Sequence, residues 1–453
     1  MSPAKKIVYV YVKGGAPLEH VFPRIARRGE LHVLALAPLP TAAEDEWRPA
    51  CASVTLLDTD DRGEALVDLV AKHAEALGAD AVLTLSEFAV LLVAHVAERL
   101  GLRGGGPNLV NARDKRLMRE TWEASGTPIP RFRRVGSEED LAAAMTDLTP
   151  PLLLKPAWGA GSVAQLVLET PDDVAPAWRH IADALALGGR AGMNELYAPD
   201  TDADLLVEEI LTGSTEGWYD TPGHGDYVSV EGIVANGVHH SLCVTGKLPA
   251  IPPFTEVAST LPSVLPEALQ RRLEAITDQA VDALGLDTAG THTELKLGPD
   301  GRVSVIETGA RFAGLMVTKQ IEAVFGFDPV EALVRELLGE PVDYPPAMLV
   351  EGRRAAASLA VIPTDAHGTP WRTTPLWRPS AVDWTALLSP GTTAHQVRAF
   401  ALPEGTPVPV YDPSGGSRNW LGVFVVRADD AETLRHDCAA VLDGLEAALG
   451  EVT

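Results

Sequence analysis

The chain has 453 residues, which suggests roughly three domains of ordinary size, and its 46% hydrophobic and 22% charged residues are typical of a globular protein. Acidic residues outnumber basic residues, 62 to 37, and the formal net charge is -25. This excess argues against a surface for nucleic acids or anionic membranes, because both are bound through lysine and arginine. The three cysteines lie far apart, which excludes a paired zinc or redox motif and fits a reducing compartment. No stretch approaches about 18 uninterrupted apolar residues, so we expect a cytoplasmic protein.

The first 112 residues alternate between patterns typical of strands and patterns typical of helices. Apolar runs at 7–12, 31–38 and 80–85 predict strands that are buried on both faces. Apolar residues at helical spacing predict helices at 64–77 and about 87–100. This order predicts an open parallel α/β sheet, a fold in which ligands usually sit at the carboxyl ends of the strands.

The pattern changes at about residue 113, where short strands and two hairpins replace the regular alternation. Asn236-Gly237 predicts the turn of the first hairpin, because this dipeptide is the strongest two-residue hairpin signal. Helices are predicted at 113–124, about 171–187, 267–284 and 430–448, and later strands at 204–211 and around 420–427. From about residue 346 the chain has proline-rich connections and predicts a smaller unit.

The second hairpin, at 291–311, reads THTELKLGPDGRVSVIETGAR and is the most informative stretch. If Asp300-Gly301 forms a two-residue turn, Glu294 lies directly opposite Glu307. Two opposed carboxylates on one face of a sheet repel each other, so we expect a cation between them. Oxygen ligands on a rigid hairpin suit Mg²⁺, which fills its other positions with water and phosphate.

Two other interpretations of this hairpin stay open. Pro299 also fits a three-residue loop with a glycine bulge, a register that would move one glutamate off the shared face. A surface hairpin with two unrelated acids is the simpler alternative. Arg311 favours the metal site, because a guanidinium four residues after Glu307 can hold an anion beside the metal.

Two lysines and a glycine loop predict a phosphate site. Lys155 ends an apolar strand and precedes the loop Gly159-Ala160-Gly161-Ser162. A glycine-rich turn lets backbone N–H groups close over phosphate oxygens while a lysine supplies charge. Taken alone, an ordinary hairpin explains this stretch, and an exposed helix face explains Lys115.

The segment LLVEEIL at 205–211 is apolar, then acidic, then apolar. The edge of such a strand can offer backbone groups to an adenine and a carboxylate to a ribose. A plain strand that runs into a loop is the alternative. The order of the two lysines, the glycine loop, the acidic strand and the glutamate hairpin is harder to obtain by chance than any one of them.

This order resembles that of the ATP-grasp superfamily, closely from about residue 80 to 340 and loosely at the two ends. Within the superfamily the chain is most similar to the bacterial L-amino acid ligases. The likeness rests on GLRGGG (101–106), NARDK (111–115), EEILTGSTEGWYDTPGHGDYVSVEGI (208–233), PFTE (253–256), THTELK (291–296) and IETGARFAG (306–314). It implies an α/β protein of the ATP-grasp fold with an N-terminal open parallel sheet (1–112), an ATP-grasp domain (113–345, with a small lobe at 113–206 and a large lobe at 207–345) and a C-terminal subdomain (346–453).

The resemblance also implies a role for each matching residue. ATP would be bound by Lys115, Lys155, Ser162, Glu208, the backbone of Glu209 and Leu211, and Glu216; Mg²⁺ by Glu294 and Glu307; and the amino acids by Glu87, Glu256, Ser259, Arg311, Gly314 and Leu315. Arg311 and Lys155 would act on the reacting phosphoryl and carboxylate groups. Glu256 or Glu87 would hold or accept the proton of the amine, and the sequence does not choose between them.

The implied activity is ADP-forming ligation of L-amino acids to dipeptides through an acyl phosphate, with ATP and one or two Mg²⁺ ions, which Mn²⁺ can replace. The expected partners are small-molecule amino acids, without nucleic acid or membrane, and a homodimer is compatible with the resemblance. Two alternatives stay open. The same chemistry can act on a non-amino-acid amine or another carboxylic acid, or the chain is a catalytically silent nucleotide-binding protein.

Three positions depart from the resembled pattern. Gly309 stands where many ATP-grasp enzymes place asparagine, so a second Mg²⁺ would have fewer protein ligands. Ser259 stands where the resembled ligases place histidine, and Leu315 where they can carry tryptophan. We therefore expect an amino-acid pocket of different shape that is roomier near Leu315.

Overall fold

The residues that the structure describes form three β-sheets. The computed structural model describes residues 4–159, 165–181, 195–197, 205–252, 255–413 and 415–450. The helices within these ranges are Leu18–Ala26, Glu44–Trp47, Gly63–Leu77, Val90–Leu100, Lys115–Ser125, Glu138–Asp147, 174–181, Glu267–Leu284, Val317–Phe325, Pro329–Leu337 and Ala431–Gly450. Of these helices, not one has the length and apolar content that crossing a membrane requires.

The N-terminal sheet is parallel throughout, as predicted. Its four strands lie in the order Cys51–Leu56, Glu30–Ala35, Lys6–Tyr11 and Ala81–Leu83. The central strand is buried from Ile7 to Tyr11, because helices cover both faces of a parallel sheet. The edge strand Cys51–Leu56 was not among the predicted elements. It is only half buried and lacks the apolar run that identified the other three.

The small sheet is antiparallel and belongs to the middle of the chain. Its strands lie in the order Phe132–Val135, Leu205–Glu209, Leu152–Pro156 and Leu166–Leu168. The acidic strand Leu205–Glu209 therefore has a neighbour on each side. The expectation that it offers a free edge is wrong, because both of its sides are hydrogen-bonded within the sheet.

The large sheet has eight strands, each antiparallel to its neighbours. They lie in the order Val303–Gly309, Ala289–Leu297, Tyr227–Ala235, Val238–Lys247, Ala258–Leu261, Ala355–Val361, Gly422–Ala428 and Thr393–Val397. The first hairpin turns at Asn236-Gly237 as predicted, with φ of 50° and 79° at the two residues. The strands beyond residue 346 continue this sheet.

Period-two alternation gives the large sheet one apolar face and one polar face. Val228, Val230 and Leu295 pack in one core with helix Glu267–Leu284, which lies where it was predicted. The alternate residues of the same strands point the other way. That opposite face carries Glu231 and Glu294 and forms the floor of the site described next.

Candidate active site

Glu294 and Glu307 are direct cross-strand partners, as predicted. The hairpin does not turn through two residues, because its loop is the three-residue segment Pro299–Gly301. A β-bulge at Ile306 then shifts the register by one residue. The loop and the bulge offset each other, so the two glutamates return to the same position along the hairpin.

Arg119 binds the backbone at this bulge. Its Nη2 donates to the carbonyl of Ile306 at 2.7 Å, and the N–H of Val305 donates to the carbonyl of Pro128 at 2.7 Å. A bulge residue is unpaired in the ladder, so its polar groups need partners from elsewhere. Arg119 supplies one and was not singled out from the sequence.

Lys115 lies against the second glutamate. Its Nζ is 3.1 Å from Oε1 of Glu307 and donates to the carbonyl of Gly159, also at 3.1 Å. Burial raises the pKa of the Glu307 carboxyl, but the charges of Lys115 and then Lys155 outweigh burial and hold this pKa at about 2. Glu307 is therefore ionised at neutral pH, as a metal ligand must be.

Glu294 is paired with a histidine that sequence reasoning missed. Nε2 of His292 lies 3.3 Å from Oε1 of Glu294, and Nδ1 lies 3.0 Å from the buried carboxylate of Glu231. Burial lowers the pKa of His292, but the charge of Glu231 outweighs it and raises this pKa to about 9. The alternation in YVSVEGI and THTELK was the available signal, because it places these side chains on one face.

Lys155 and Glu208 form a buried cluster with Arg119. Nζ of Lys155 contacts Oε1 of Glu208, and Nε of Arg119 donates to Oε2 at 3.0 Å. Burial lowers the pKa of Lys155, an effect that the charge of Glu208 opposes. The Glu208 carboxylate thus binds two cations, Lys155 and Arg119. If Glu208 contributes to adenine binding, it does so through these two side chains.

The neighbouring Glu209 is bound to Arg131 through both its backbone and its side chain. Its N–H donates to the carbonyl of Arg131 at 2.9 Å, and its carboxylate pairs with the Arg131 guanidinium at 2.9 Å. This N–H is therefore already bonded within the protein and is not available to an adenine. The carbonyl of Glu209 and the backbone of Leu211, two residues past the end of the strand, remain candidates. Glu216 is exposed, and Ser162 lies outside the described residues.

Arg311 joins the hairpin to the N-terminal domain. Its Nε lies 2.5 Å from Oε2 of Glu87, which begins the helical turn after strand Ala81–Leu83. A Cβ at Gly309 would lie 3.4 Å from Glu87 Oε2 and 3.5 Å from the guanidinium carbon of Arg311. A larger side chain at position 309 would therefore meet this ion pair.

Arg113 and Glu195 extend this ion pair, and both were missed. Nε of Arg113 lies 2.7 Å from Oε2 of Glu195 and 3.6 Å from Oε1 of Glu87. The Arg113 guanidinium carbon is 5.7 Å from the ring centroid of Phe88 and 5.9 Å from that of Trp158. Burial raises the pKa of the Glu195 carboxyl to about 7, with Arg113 opposing and Glu87 adding to this effect.

The remaining predicted residues lie on the opposite side of the site. Glu256 is partly exposed just before strand Ala258–Leu261, and Ser259 is buried within it. Leu315 has a φ of 58°, which is rare for a residue with a branched side chain, and Gly314 beside it is exposed. The described contacts thus pair Lys115 with Glu307 and Arg311 with Glu87, and the charge of Lys155 also acts on Glu307.

The residues present fit one divalent cation. Two opposed carboxylates are what Mg²⁺ takes from proteins, with water and phosphate completing its six positions. Within the part of the chain that the structure describes, no group of three or more His, Cys, Asp and Glu side chains is arranged to hold a metal. The glutamate pair would supply two oxygen ligands of this kind.

The match to known proteins agrees with this arrangement. Residues 148–319 match the family model of the ATP-grasp domain. The matched segment contains Lys155, Glu208, Glu294 and Glu307. The chain is 35% identical over 288 residues to alanine–anticapsin ligase of Bacillus subtilis (strain 168), an alignment that covers 63% of this chain and 60% of the relative. The chain thus spans about 60% of the length of this curated relative.

Solved structures show the same fold. The L-amino acid ligase from Bacillus licheniformis superposes with a TM-score of 0.72 at 20% identity, covering 97% of this chain and 98% of that one. The biotin carboxylase domain of Hydrogenobacter thermophilus 2-oxoglutarate carboxylase, solved with MgADP, ADP and bicarbonate, has a TM-score of 0.65 at 15% identity and coverages of 95% and 87%. The predicted ATP-grasp fold and the similarity to L-amino acid ligases are confirmed.

Proposed function

We propose that this protein is an ATP-dependent ligase that joins two L-amino acids through an acyl phosphate and releases ADP and phosphate. The observation that carries the proposal is the direct opposition of Glu294 and Glu307, with Lys115 against Glu307. The similarity to alanine–anticapsin ligase and to an L-amino acid ligase supports amino acids as substrates.

The first requirement is to hold a highly charged nucleotide. The positive charges of Lys115 and Lys155 both lower the pKa of Glu307, so both ammonium groups lie near the glutamate pair. We assign them to the phosphates of ATP, for which they supply the positive charge. Glu294 and Glu307 would hold Mg²⁺, which supplies charge stabilisation to the phosphate oxygens.

In the first step an oxygen of the donor carboxylate attacks the γ-phosphorus of ATP, and the bond to the ADP oxygen breaks. Two negatively charged groups must meet, so the main task of the site is electrostatic. Arg311 is the cation placed between the glutamate hairpin and the N-terminal domain. We assign it to the donor carboxylate and the transferred phosphoryl group.

In the second step the acceptor amine attacks the acyl carbon, and phosphate leaves with the oxygen that bridged carbon and phosphorus. The amine must lose a proton to become the amide. Glu87 is 6% exposed and bound to Arg311, whereas Glu256 is 41% exposed. Of these two acids, Glu256 is the one that a substrate can reach, and we assign it to binding the ammonium group of a substrate amino acid.

The test uses one donor amino acid labelled with ¹⁸O in its carboxylate. Purified protein is incubated with ATP, Mg²⁺ and pairs of L-amino acids, and products are measured by mass spectrometry. The proposal predicts equal amounts of ADP and dipeptide and one ¹⁸O atom in each phosphate released. ADP without amide across a broad panel, or AMP as the product, would contradict it. ATP binding without any turnover would instead favour the catalytically silent alternative.

A further inference from the structure

Lys247 is a buried lysine that the mechanism above does not use. It ends strand Val238–Lys247 and is the cross-strand partner of Ser259. Its side chain is 3% exposed, and its Nζ lies 3.1 Å from Oγ of Ser259 and 3.5 Å from Oε2 of Glu256. Lysine is almost never fully buried unless it is paired, so this position needs an explanation.

Three carboxylates keep Lys247 charged. Burial lowers the pKa of its ammonium, but the negative charges of Glu256, Glu294 and Glu231 outweigh burial and raise this pKa above the ordinary value. The Nζ also lies 5.7 Å from the ring centroid of Tyr227, a distance at which cation–π attraction operates. A fixed positive charge therefore stands beside the acids of the site.

Lys247 lies on the amino-acid side of the site. Its strand and the strand of Glu294 are separated by one strand, Tyr227–Ala235, and both side chains belong to the polar face. Neighbouring strands are about 4.8 Å apart, so the two Cα atoms are separated by on the order of 10 Å. The lysine and the glutamate pair therefore belong to neighbouring parts of the same sheet face.

The contrast in exposure determines how Lys247 acts. Glu256 is 41% exposed and accessible to a substrate, whereas Lys247 is buried behind it. Ser259 gives the ammonium a neutral acceptor, so the lysine charge remains available to Glu256. The lysine is therefore placed to act on a substrate through Glu256 and not by touching the substrate itself.

We propose that Lys247 is a positioning residue that orients the side chain of Glu256 toward the amino-acid pocket, where Glu256 binds a substrate ammonium. This inference rests on the proposed function and adds a selection rule to it. A carboxylic acid with a protonated amine is bound in preference to the same acid without the amine. The ion pair thus selects amino acids over simple carboxylic acids.

The test compares binding of L-alanine and of propionate, which lacks the amine. Both dissociation constants are measured by calorimetry with ADP and Mg²⁺ present, a readout that needs no turnover, and KM and kcat are measured where turnover occurs. Lys247→Met should weaken L-alanine binding by about tenfold, the order expected when a charged hydrogen bond is lost. Propionate binding and ADP binding should change little.

Lys296 is the matched control. Its Nζ lies 5.9 Å from the ring centroid of the same Tyr227 and 2.7 Å from Oδ1 of Asp226. Lys296→Met removes a paired lysine from the same sheet face without touching Glu256. It should leave the preference for L-alanine over propionate unchanged.

A double variant keeps the test valid if Lys247→Met does not fold. Lys247→Met combined with Glu256→Gln buries no unpaired charge, so it avoids the main source of instability. If Lys247 acts through Glu256, the double variant and Glu256→Gln alone have the same affinity for L-alanine. An unchanged preference in Lys247→Met, or a double variant clearly weaker than Glu256→Gln, would overturn the proposal. Retained binding without turnover would count against the ligase function and leave this inference standing.

Discussion

The ammonium of Lys115 lies 3.1 Å from the carboxylate of Glu307 and 3.1 Å from the carbonyl of Gly159. One side chain therefore joins the glutamate hairpin of the large sheet to the glycine segment that follows the small-sheet strand Leu152–Pro156. The backbone N–H of Lys115 donates to the carbonyl of Ala157 at 3.0 Å and strengthens the same connection. We expect nucleotide binding to depend on this junction.

The glutamate pair provides the first prediction. Glu294→Gln and Glu307→Gln should each lower kcat/KM by about a hundredfold or more, because each removes a charged ligand from the site where negative charge accumulates. Release of ADP in a coupled assay measures the effect. Asp300→Asn is the matched control, since it changes an acid to its amide in the loop of the same hairpin, at a φ of 58° that asparagine tolerates. Full activity in either glutamate variant would refute the metal assignment.

The cluster around Glu208 provides a prediction about stability. Glu208→Gln leaves Lys155 and Arg119 buried without their counter-charge, which should lower the free energy of unfolding by about 3 kcal/mol. Glu209→Gln should cost no more than about 1 kcal/mol, because its partner Arg131 is exposed. Chemical denaturation of both variants measures the difference. Equal losses would show that Glu208 is not a buried counter-ion.

Glu195 provides a prediction about pH. Its pKa in the folded protein is about 7, above the ordinary 4.5 that applies to the unfolded chain. Between pH 4.5 and 7 the folded protein therefore keeps a proton on Glu195 that the unfolded chain has lost. The contribution of this proton to the free energy of unfolding is complete below about pH 4.5 and is lost as the pH rises through about 7. Glu195→Gln does not titrate. The free energy of unfolding of Glu195→Gln minus that of the wild type should therefore increase by about 3 kcal/mol from pH 4.5 to pH 8.

Denaturation of wild type and Glu195→Gln at a series of pH values checks this sign. Other titrating groups are common to both proteins, so the difference isolates position 195. A difference that does not vary with pH, or one that favours the wild type as the pH rises, would contradict the described environment of Glu195 beside Arg113 and Glu87.

Leu315 provides a prediction about backbone strain. Its φ of 58° lies in the left-handed region, which costs a residue with a Cβ about 1 kcal/mol relative to glycine. Leu315→Gly should therefore be more stable than Leu315→Ala by about 1 kcal/mol, although both lose the same packing. At Met316, where φ is -115°, alanine should be the more stable of the two replacements. If glycine and alanine variants had the same order of stability at both positions, the backbone at Leu315 would not be strained.

The sequence predicted the parts of this protein that depend on local pattern. Unbroken apolar runs indicated three parallel strands, and Asn236-Gly237 indicated a hairpin, because burial and positive φ leave a signal in neighbouring residues. The facing of Glu294 and Glu307 was also predicted, although the three-residue loop and the bulge that produce it were not.

The parts that were missed depend on residues far apart in the chain. Arg119 and Glu208 are 89 positions apart, and no spacing rule links them. Arg113, Glu195 and Glu87 meet only when the N-terminal domain packs against the rest of the chain. The sequence did not show that strand Leu205–Glu209 lies inside its sheet, because its second neighbour, Phe132–Val135, is a short strand with a weak pattern.

The position of the metal tests the assignment of Glu294 and Glu307 most directly. Crystals grown with ADP and Mn²⁺ in place of Mg²⁺ allow the ion to be located by its anomalous scattering. If the two glutamates hold the metal, an anomalous peak lies about 2 Å from carboxylate oxygens of both Glu294 and Glu307. A peak elsewhere in the nucleotide site, with either glutamate turned away from it, would contradict the central claim.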